Sequence, residues 1–360
     1  MRIETCFLSL FFVSISSVGF AQRTSPVISP EIGSEGQVSF RIEAKDANKV
    51  ELAGQWPGGN VTMEKNDNGI WQVTCKDIPA GIWEYSLRVN GISMIDPNNS
   101  EIKPMRSPRT SILHIPGKTP LVHDFQDVTH GTVHSHTYAS QVSKNLRRLA
   151  IYTPPGYEKD LARNYPTLYL QHGSGDNEAT WIAHGKAHWI ADNLIAQKKA
   201  KPMVIVMMDD HIAPPTERGR NTELFEKDLL AEVMPFVEAT YRVDPSPSQR
   251  GIVGLSMGGG QSLTTGLKNT DKFSWVGGFS ASVPANETVA NAMDDAKKTN
   301  SQLKLLWIGC GKDDFLLKRN EEFIEHLTTK GITHQWLKTE GNHSWPVWRI
   351  YLADFLPLLF

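Results

Sequence analysis

The chain has 360 residues, of which 40% are hydrophobic and 21% charged. Those proportions exclude a disordered chain and a multi-span membrane protein, and the length suits two domains or one large α/β domain with an appendage. The 37 Lys and Arg nearly balance the 39 Asp and Glu, leaving a formal net charge of −2 and no basic run, so nothing electrostatic calls for nucleic acid or an anionic membrane as partner.

In chain order, the first 21 residues stand apart. Met1-Arg2 gives a positive start, Cys6 to Phe20 is an apolar and small-residue run, and Gly19-Phe20-Ala21 places small residues where a signal peptidase reads. This is the pattern of a secretory signal peptide cleaved after Ala21; the run is too short and too Ser-rich to span a bilayer well. The mature protein is expected in the periplasm or outside the cell. Cys75 and Cys310 remain, in different domains, and a chain this long builds a core without disulfides, so both are expected as buried free thiols.

After a Ser, Pro and Gly-rich lead-in, short strands follow. Val38–Ala44 alternates apolar and polar, Lys49–Ala53 and Trp71–Cys75 are extended runs, Gly81–Val89 is the clearest strand, and Asn90-Gly91 signals a hairpin turn. Ser111–Ile115 closes the set. With no helical period among them, they read as a small immunoglobulin-like β-sandwich over residues 22–118, ended by the linker Pro116–Pro120.

From residue 119 the pattern changes. Arg147–Tyr152, Pro166–Leu170, Met203–Met208, Gln249–Leu255 and Leu303–Ile308 are apolar runs of the kind found in strands buried on both faces. Helical periods lie between or after them, at Thr180–Gln197, Asn221–Thr240, from Met257, and at Phe315–Thr329. Strands alternating with helices predict a mostly parallel sheet covered on both sides, an α/β domain over 119–360.

The pentapeptide Gly254-Leu255-Ser256-Met257-Gly258 fits G-x-S-x-G, and its context is a strand, a tight turn and a Gly-rich helix start. Such a turn is sharp enough to demand tiny flanking residues, and it presents the serine hydroxyl above the sheet. The hydroxyl needs a base, and the base needs an acid to orient it. In an α/β-hydrolase these follow in the order Ser, acid, His. After Ser256, the loop Gly309-Cys-Gly-Lys-Asp-Asp-Phe315 offers two carboxylates, Asp313 and Asp314. Among the later histidines, His326 sits in a helical period and His334 begins a strand. His343 lies in the loop between the last strand and a terminal helix, where a catalytic His belongs. The oxyanion needs two backbone N–H donors; Met257, after the nucleophile, is one, and Ser174 in Gln171-His-Gly-Ser-Gly-Asp176 is assigned as the other. His172 is expected to orient that loop by hydrogen bonding. The cluster His123, His130, His134 and His136 lacks a carboxylate or Cys to complete a ligand set, so no metal is expected.

The segments His172-Gly-Ser-Gly-Asp, Gly254-Leu-Ser-Met-Gly-Gly, Gly309-Cys-Gly-Lys-Asp-Asp-Phe and Gly341-Asn-His-Ser-Trp-Pro-Val-Trp, in that order, resemble the esterase D-like group of α/β-hydrolases, carbohydrate esterase family 1. This family contains feruloyl and acetylxylan esterases, and the resemblance covers roughly residues 125 to 360. It implies the catalytic set Ser256, Asp314 and His343, with Asp314 taken because the family acid is the second of the two positions. The oxyanion loop departs from many relatives in carrying Ser174 where they have further Gly. The N-terminal region resembles the early-set sandwich related to carbohydrate-binding module family 48, through Leu52-Ala-Gly-Gln-Trp56, Gly81-Ile-Trp-Glu-Tyr85 and Asp96-Pro-Asn98.

The resemblance implies a secreted serine esterase, without cofactor, that hydrolyses feruloyl esters on plant cell-wall arabinoxylan. The alternatives are an acetylxylan esterase, a siderophore esterase, and a carbohydrate-binding protein with a dead hydrolase fold. Trp181 and Trp345, which follow the oxyanion loop and His343, are the expected side chains to pack on a phenolic acyl group.

Overall fold

The computed structural model describes residues 26–33 and 36–360. The expected signal peptide, residues 1–21, lies outside the described residues. Among the described residues no helix is long and apolar enough to cross a membrane.

The N-terminal strands are β1 Glu31–Ile32, β2 Val38–Glu43, β3 Val50–Gly54, β4 Asn60–Thr62, β5 Glu64–Lys65, β6 Ile70–Cys75, β7 Gly81–Val89, β8 Ile92–Met94 and β9 Ser111–Ile115. They form two sheets, one ordered β1-β2-β6-β5, the other β4-β3-β7-β8 with β9 also paired to β7. Strand alternation turns Val38, Phe40 and Ile42 inward against Leu52, Tyr85 and Leu87. Phe40 is the centre of this core, stacked on Trp56 at 5.8 Å and edge-on to Tyr85 at 5.0 Å. Asn90 and Gly91 both take positive φ (49° and 86°), which a two-residue hairpin between β7 and β8 requires.

The second sheet has eight strands: β10 Thr132–Ala139, β11 Leu146–Thr153, β12 Thr167–Gln171, β13 Val204–Met208, β14 Arg250–Leu255, β15 Trp275–Phe279, β16 Leu305–Gly311 and β17 Gln335–Thr339. Their order is β10-β11-β13-β12-β14-β15-β16-β17. The first two pairings are antiparallel and the rest parallel. Every residue of β12, β13, β14 and β16 is buried, as their unbroken apolar runs predict.

The helices are α1 Thr180–Ala183, α2 Ala187–Ala196, α3 Asn221–Asp228, α4 Met234–Thr240, α5 Ser256–Lys268, α6 Ala290–Asp294, α7 Ala296–Gln302, α8 Leu317–Thr329 and α9 Trp345–Phe355. One face of the sheet is covered by α1, α2 and α9, and the other by α3, α4, α5 and α8. Strand order reverses between β12 and β14, so the loops leaving those two strands diverge and open a crevice at their carboxyl ends.

Three elements differ from the sequence reading. The helix expected over Thr180–Gln197 breaks into α1 and α2, because Lys186 adopts the left-handed conformation (φ 56°). The helix expected over Asn221–Thr240 runs continuously but widens to a π-turn at Leu229–Val233, just before Pro235. A proline ring clashes with the carbonyl four residues back and lacks an N–H, and the π-turn accommodates both defects. Strand β15 was not anticipated, since Trp-Val-Gly-Gly-Phe carries two glycines and no alternation; it pairs β14 with β16 all the same.

Candidate active site

The position of Ser256 follows from a steric requirement at the end of β14. Ser256 has φ 52°, a left-handed conformation for a non-glycine residue, and α5 begins at that residue. A Cβ on Gly258 would lie 2.2 Å from the His172 carbonyl oxygen, so only glycine lets the turn close against the neighbouring loop. The first N–H groups of a helix have no intrahelical partner. They sit beside the Ser256 hydroxyl.

Loops after β16 and β17 supply the other two groups. Asp314 follows β16 and His343 follows β17. The two loops are tied by hydrogen bonds from Asp313 N–H to the Gly341 carbonyl (3.0 Å) and from Lys312 N–H to the Thr339 carbonyl (2.8 Å). Gly341 turns its loop with φ 103°. His343 Nε2 is 2.9 Å from Ser256 Oγ, and His343 Nδ1 is 2.9 and 3.0 Å from the two Asp314 carboxylate oxygens. Asp313 is exposed and forms no hydrogen bond to His343, whereas Asp314 is buried against it, which separates the two carboxylates that sequence left in competition before the family resemblance. Burial of Asp314 would by itself push its carboxyl up. Hydrogen bonds from His343 and from the Leu316 N–H (2.8 Å) outweigh that and hold it below the usual carboxylate range.

Ser174 and Met257 both border this crevice. Neither backbone N–H has a protein acceptor among the described residues. His172, fully enclosed, donates from Nδ1 to the Gly173 carbonyl (2.8 Å) and accepts the Asp210 N–H at Nε2 (3.1 Å), fastening the Gly173–Asp176 loop to the end of β13. His211 Nε2 accepts the Gly175 N–H at 3.0 Å and braces the same loop. Asp210 is enclosed with its Oδ1 3.0 Å from His172 Nε2, and burial pushes its carboxyl up to about 8.

Trp181 is a correction. It is fully buried, its Nε1 donating to the Gln171 carbonyl at 3.0 Å, so it packs α1 on β12 and cannot reach a ligand. Trp345 is 2% exposed and stands edge-on to Trp181 at 4.9 Å and to Trp348 at 5.5 Å; it contributes only an edge to the cleft wall. The aromatic side chains that meet the His343 ring are Phe315 (4.4 Å) and Trp348 (4.9 Å). Phe315 is 74% exposed, an unusual state for a phenylalanine. Its position directly after Asp314 is the signal the sequence offers.

Of His123, His130, His134 and His136, His134 and His136 share a neighbour, both packing on the Tyr241 ring at 5.7 Å, and each of these two rings has its own hydrogen-bond partner. His130 bonds Asp192, His134 bonds Thr153 and His136 bonds Tyr241. Among the described residues the group with suitable ligand atoms near one another is His172, Asp210 and His211, whose ring nitrogens are largely engaged as described above. Cys75 and Cys310 are buried and free, and burial pushes the Cys310 thiol up to about 12.

The sandwich completes the cleft. Its segment between β8 and β9 crosses the mouth: Thr180 Oγ1 donates to the Pro104 carbonyl (2.6 Å) and Arg106 N–H to the Gly175 carbonyl (3.0 Å). Lys103 Nζ lies 3.1 Å from both Glu84 and Asp176. The resulting hollow, about 320 Å³, is bounded by Gln55, Lys103 and Arg109 on one side and by Ser256, Phe315 and His343 on the other. Gln55 lies in the Leu52–Trp56 motif, but no sequence motif marks Lys103 or Arg109 or says that any of the three reaches the site, because only tertiary packing carries them there.

Comparison with known proteins gives matches in both parts. Residues 140–359 match the family described as "Putative esterase", and residues 27–105 match carbohydrate-binding module 48 (isoamylase N-terminal domain). An endo-1,4-beta-xylanase/feruloyl esterase of Xylanibacter ruminicola is 31% identical over 92% of this chain. The chain spans 46% of that relative's length. A ferulic acid esterase of known structure is 27% identical, with a TM-score of 0.57 over 64% of this chain and 97% of the other. The enterobactin esterase of Shigella flexneri, at 17% identity, shares the fold with a TM-score of 0.65 over 89% of this chain and 92% of the other.

Proposed function

Since the chain belongs to the esterase family whose model spans residues 140–359, we propose that it is an exported serine ester hydrolase acting on feruloyl or related hydroxycinnamoyl esters of arabinoxylan. The observation that carries the reading is the relay at the crevice: Ser256 Oγ to His343 Nε2 at 2.9 Å, and His343 Nδ1 to Asp314 at 2.9 Å.

Ser256 attacks the ester carbonyl while His343 takes its proton. Asp314 fixes the imidazole tautomer and offsets the imidazolium charge. The Met257 and Ser174 N–H groups hold the oxyanion, aided by the positive end of α5. His343 then returns the proton to the departing sugar oxygen, so the alcohol side of the substrate lies against His343. Water, deprotonated by His343, frees the acid. Phe315, exposed beside His343, suits the face of the departing sugar. The substrate class follows the names of the 31% and 27% identical relatives. We place the border between sandwich and catalytic domain at residues 118 and 119, with cleavage of the leader after Ala21.

Hydrolysis of methyl ferulate, of an acetyl ester and of feruloylated arabinoxylan by wild type and Ser256→Ala tests the reading. Ferulate turnover that vanishes in the variant is the expected result. Acetyl turnover alone keeps the mechanism and moves the substrate to acetylated xylan. Absence of turnover on all three overturns the proposal.

A further inference from the structure

Next to the hollow at His343 lies a second lobe of about 470 Å³, on the far side of the oxyanion donors. It runs between the sandwich segment Met105–Arg109 and the segment of the catalytic domain that contains Arg218. Met257 and Ser174 form its inner end, and three arginines, Arg106, Arg109 and Arg218, border it. No Asp or Glu lines it.

That imbalance is local. Other cations around the cleft are neutralised: Lys103 by Glu84 and Asp176, Arg148 by Glu178, and Arg220, two residues from Arg218, by Glu217 and Glu223. In the lobe only Arg106 has a carboxylate near it, Asp209 at 3.5 Å, and Arg147 shares that carboxylate. Arg109 and Arg218 form no ion pair among the described residues. A guanidinium is donor-only and always charged, so it seeks acceptor or anionic oxygens in a planar fork. Two methionines, Met105 and Met257, supply apolar, polarizable surface between the reacting centre and this cationic end.

The direction of the substrate follows from proton transfer. The leaving oxygen must face His343 Nε2, which opens into the first hollow. The group on the other side of the carbonyl then extends past Met257 into the second lobe. We infer that this lobe is the acyl site and that Arg109 and Arg218, with Arg106, select aromatic acyl groups carrying a negatively charged oxygen at their distal end. The inference rests on the esterase reading for which end of the substrate enters.

The probes are two matched esters: the monomethyl ester of 4-carboxycinnamic acid, methylated on the acrylate carboxyl, and the same ester with the ring carboxylate replaced by a carboxamide. They differ in charge and hardly in shape. For the full chain, kcat/KM is expected to favour the carboxylate about fivefold, as two or three partly exposed ion pairs would give. The ratio should fall towards one in Arg109→Gln/Arg218→Gln, and also when salt rises from roughly 0.05 to 0.5 M. Equilibrium binding of both esters to Ser256→Ala reads the same selectivity without chemistry. Turnover of both esters with a ratio of one or below, or a ratio unmoved by the double substitution, overturns the inference and leaves the esterase reading standing. Charge-selective binding without turnover in wild type does the reverse. Neither binding nor turnover removes both.

Discussion

At Ser256 the backbone and the chemistry make opposing demands. A left-handed φ of 52° lifts the hydroxyl out of the sheet, and a Cβ in that region is unfavourable. Replacing Ser256 by Gly should therefore yield a protein about 1 kcal/mol more stable towards urea than Ser256→Ala, with both inactive. Equal midpoints for the two would show that the turn stores no strain. The adjacent carboxylates give a second contrast. Asp314→Asn should lower kcat by about 10³- to 10⁴-fold, because the amide favours the wrong imidazole tautomer, whereas Asp313→Asn, exposed, should change it less than about twofold. Comparable losses in both would put the acid elsewhere. These residues were legible because their types and chain order are chemically demanding: a serine between glycines, then an acid, then a loop histidine. Trp181 misled because distance along the chain from a motif does not say which way a side chain points. It lies in the first turn of α1, facing β12, and its indole N–H is taken by Gln171.

Elements were read well where an apolar run was long and uninterrupted, as in β13 and β14. They were read poorly where packing overrode local pattern. Strand β15 depends on two glycines that let Leu263 and Phe355 approach the sheet, a fact no window of residues contains. The division of α1 from α2 rests on a single left-handed lysine. The loop between β16 and α8 carries both Asp314 and the exposed Phe315. If Phe315 covers a sugar face, Phe315→Ala should lower kcat/KM for a feruloylated arabinoxylo-oligosaccharide by about three- to tenfold more than for methyl ferulate. Equal losses on the two substrates would confine Phe315 to holding the His343 ring.

At the scale of the molecule, the two domains meet across buried polar groups, and this long-range arrangement was not legible in sequence. Arg349 of α9, 1% exposed, donates to the His184 carbonyl at 3.0 and 3.1 Å and to the Ile82 carbonyl of β7 at 3.1 Å. His184 Nε2 stands 3.3 Å from Glu84. Burial, and then the Arg349 charge, lower the His184 ring from 6.5 to about 3. In the unfolded chain the ring takes up its proton near 6.5, well before the folded protein accepts it, so stability is lost as pH falls through that window towards 3. His184→Gln should remove up to about 2 kcal/mol of the stability change between roughly pH 7 and pH 5, measured by urea unfolding at each pH. An unchanged acid limb would place the sensitivity in other buried histidines. Arg349 also bears on heredity. A recombination breakpoint in the linker Pro116–Pro120 would part the Arg349 guanidinium from the Ile82 carbonyl, leaving it only its contacts with His184, and would strip the cleft of Gln55, Lys103 and Arg109. The two domains should therefore pass from genome to genome as one cassette, and exchange of either half between lineages should succeed only where the recipient brings its own arginine to that junction.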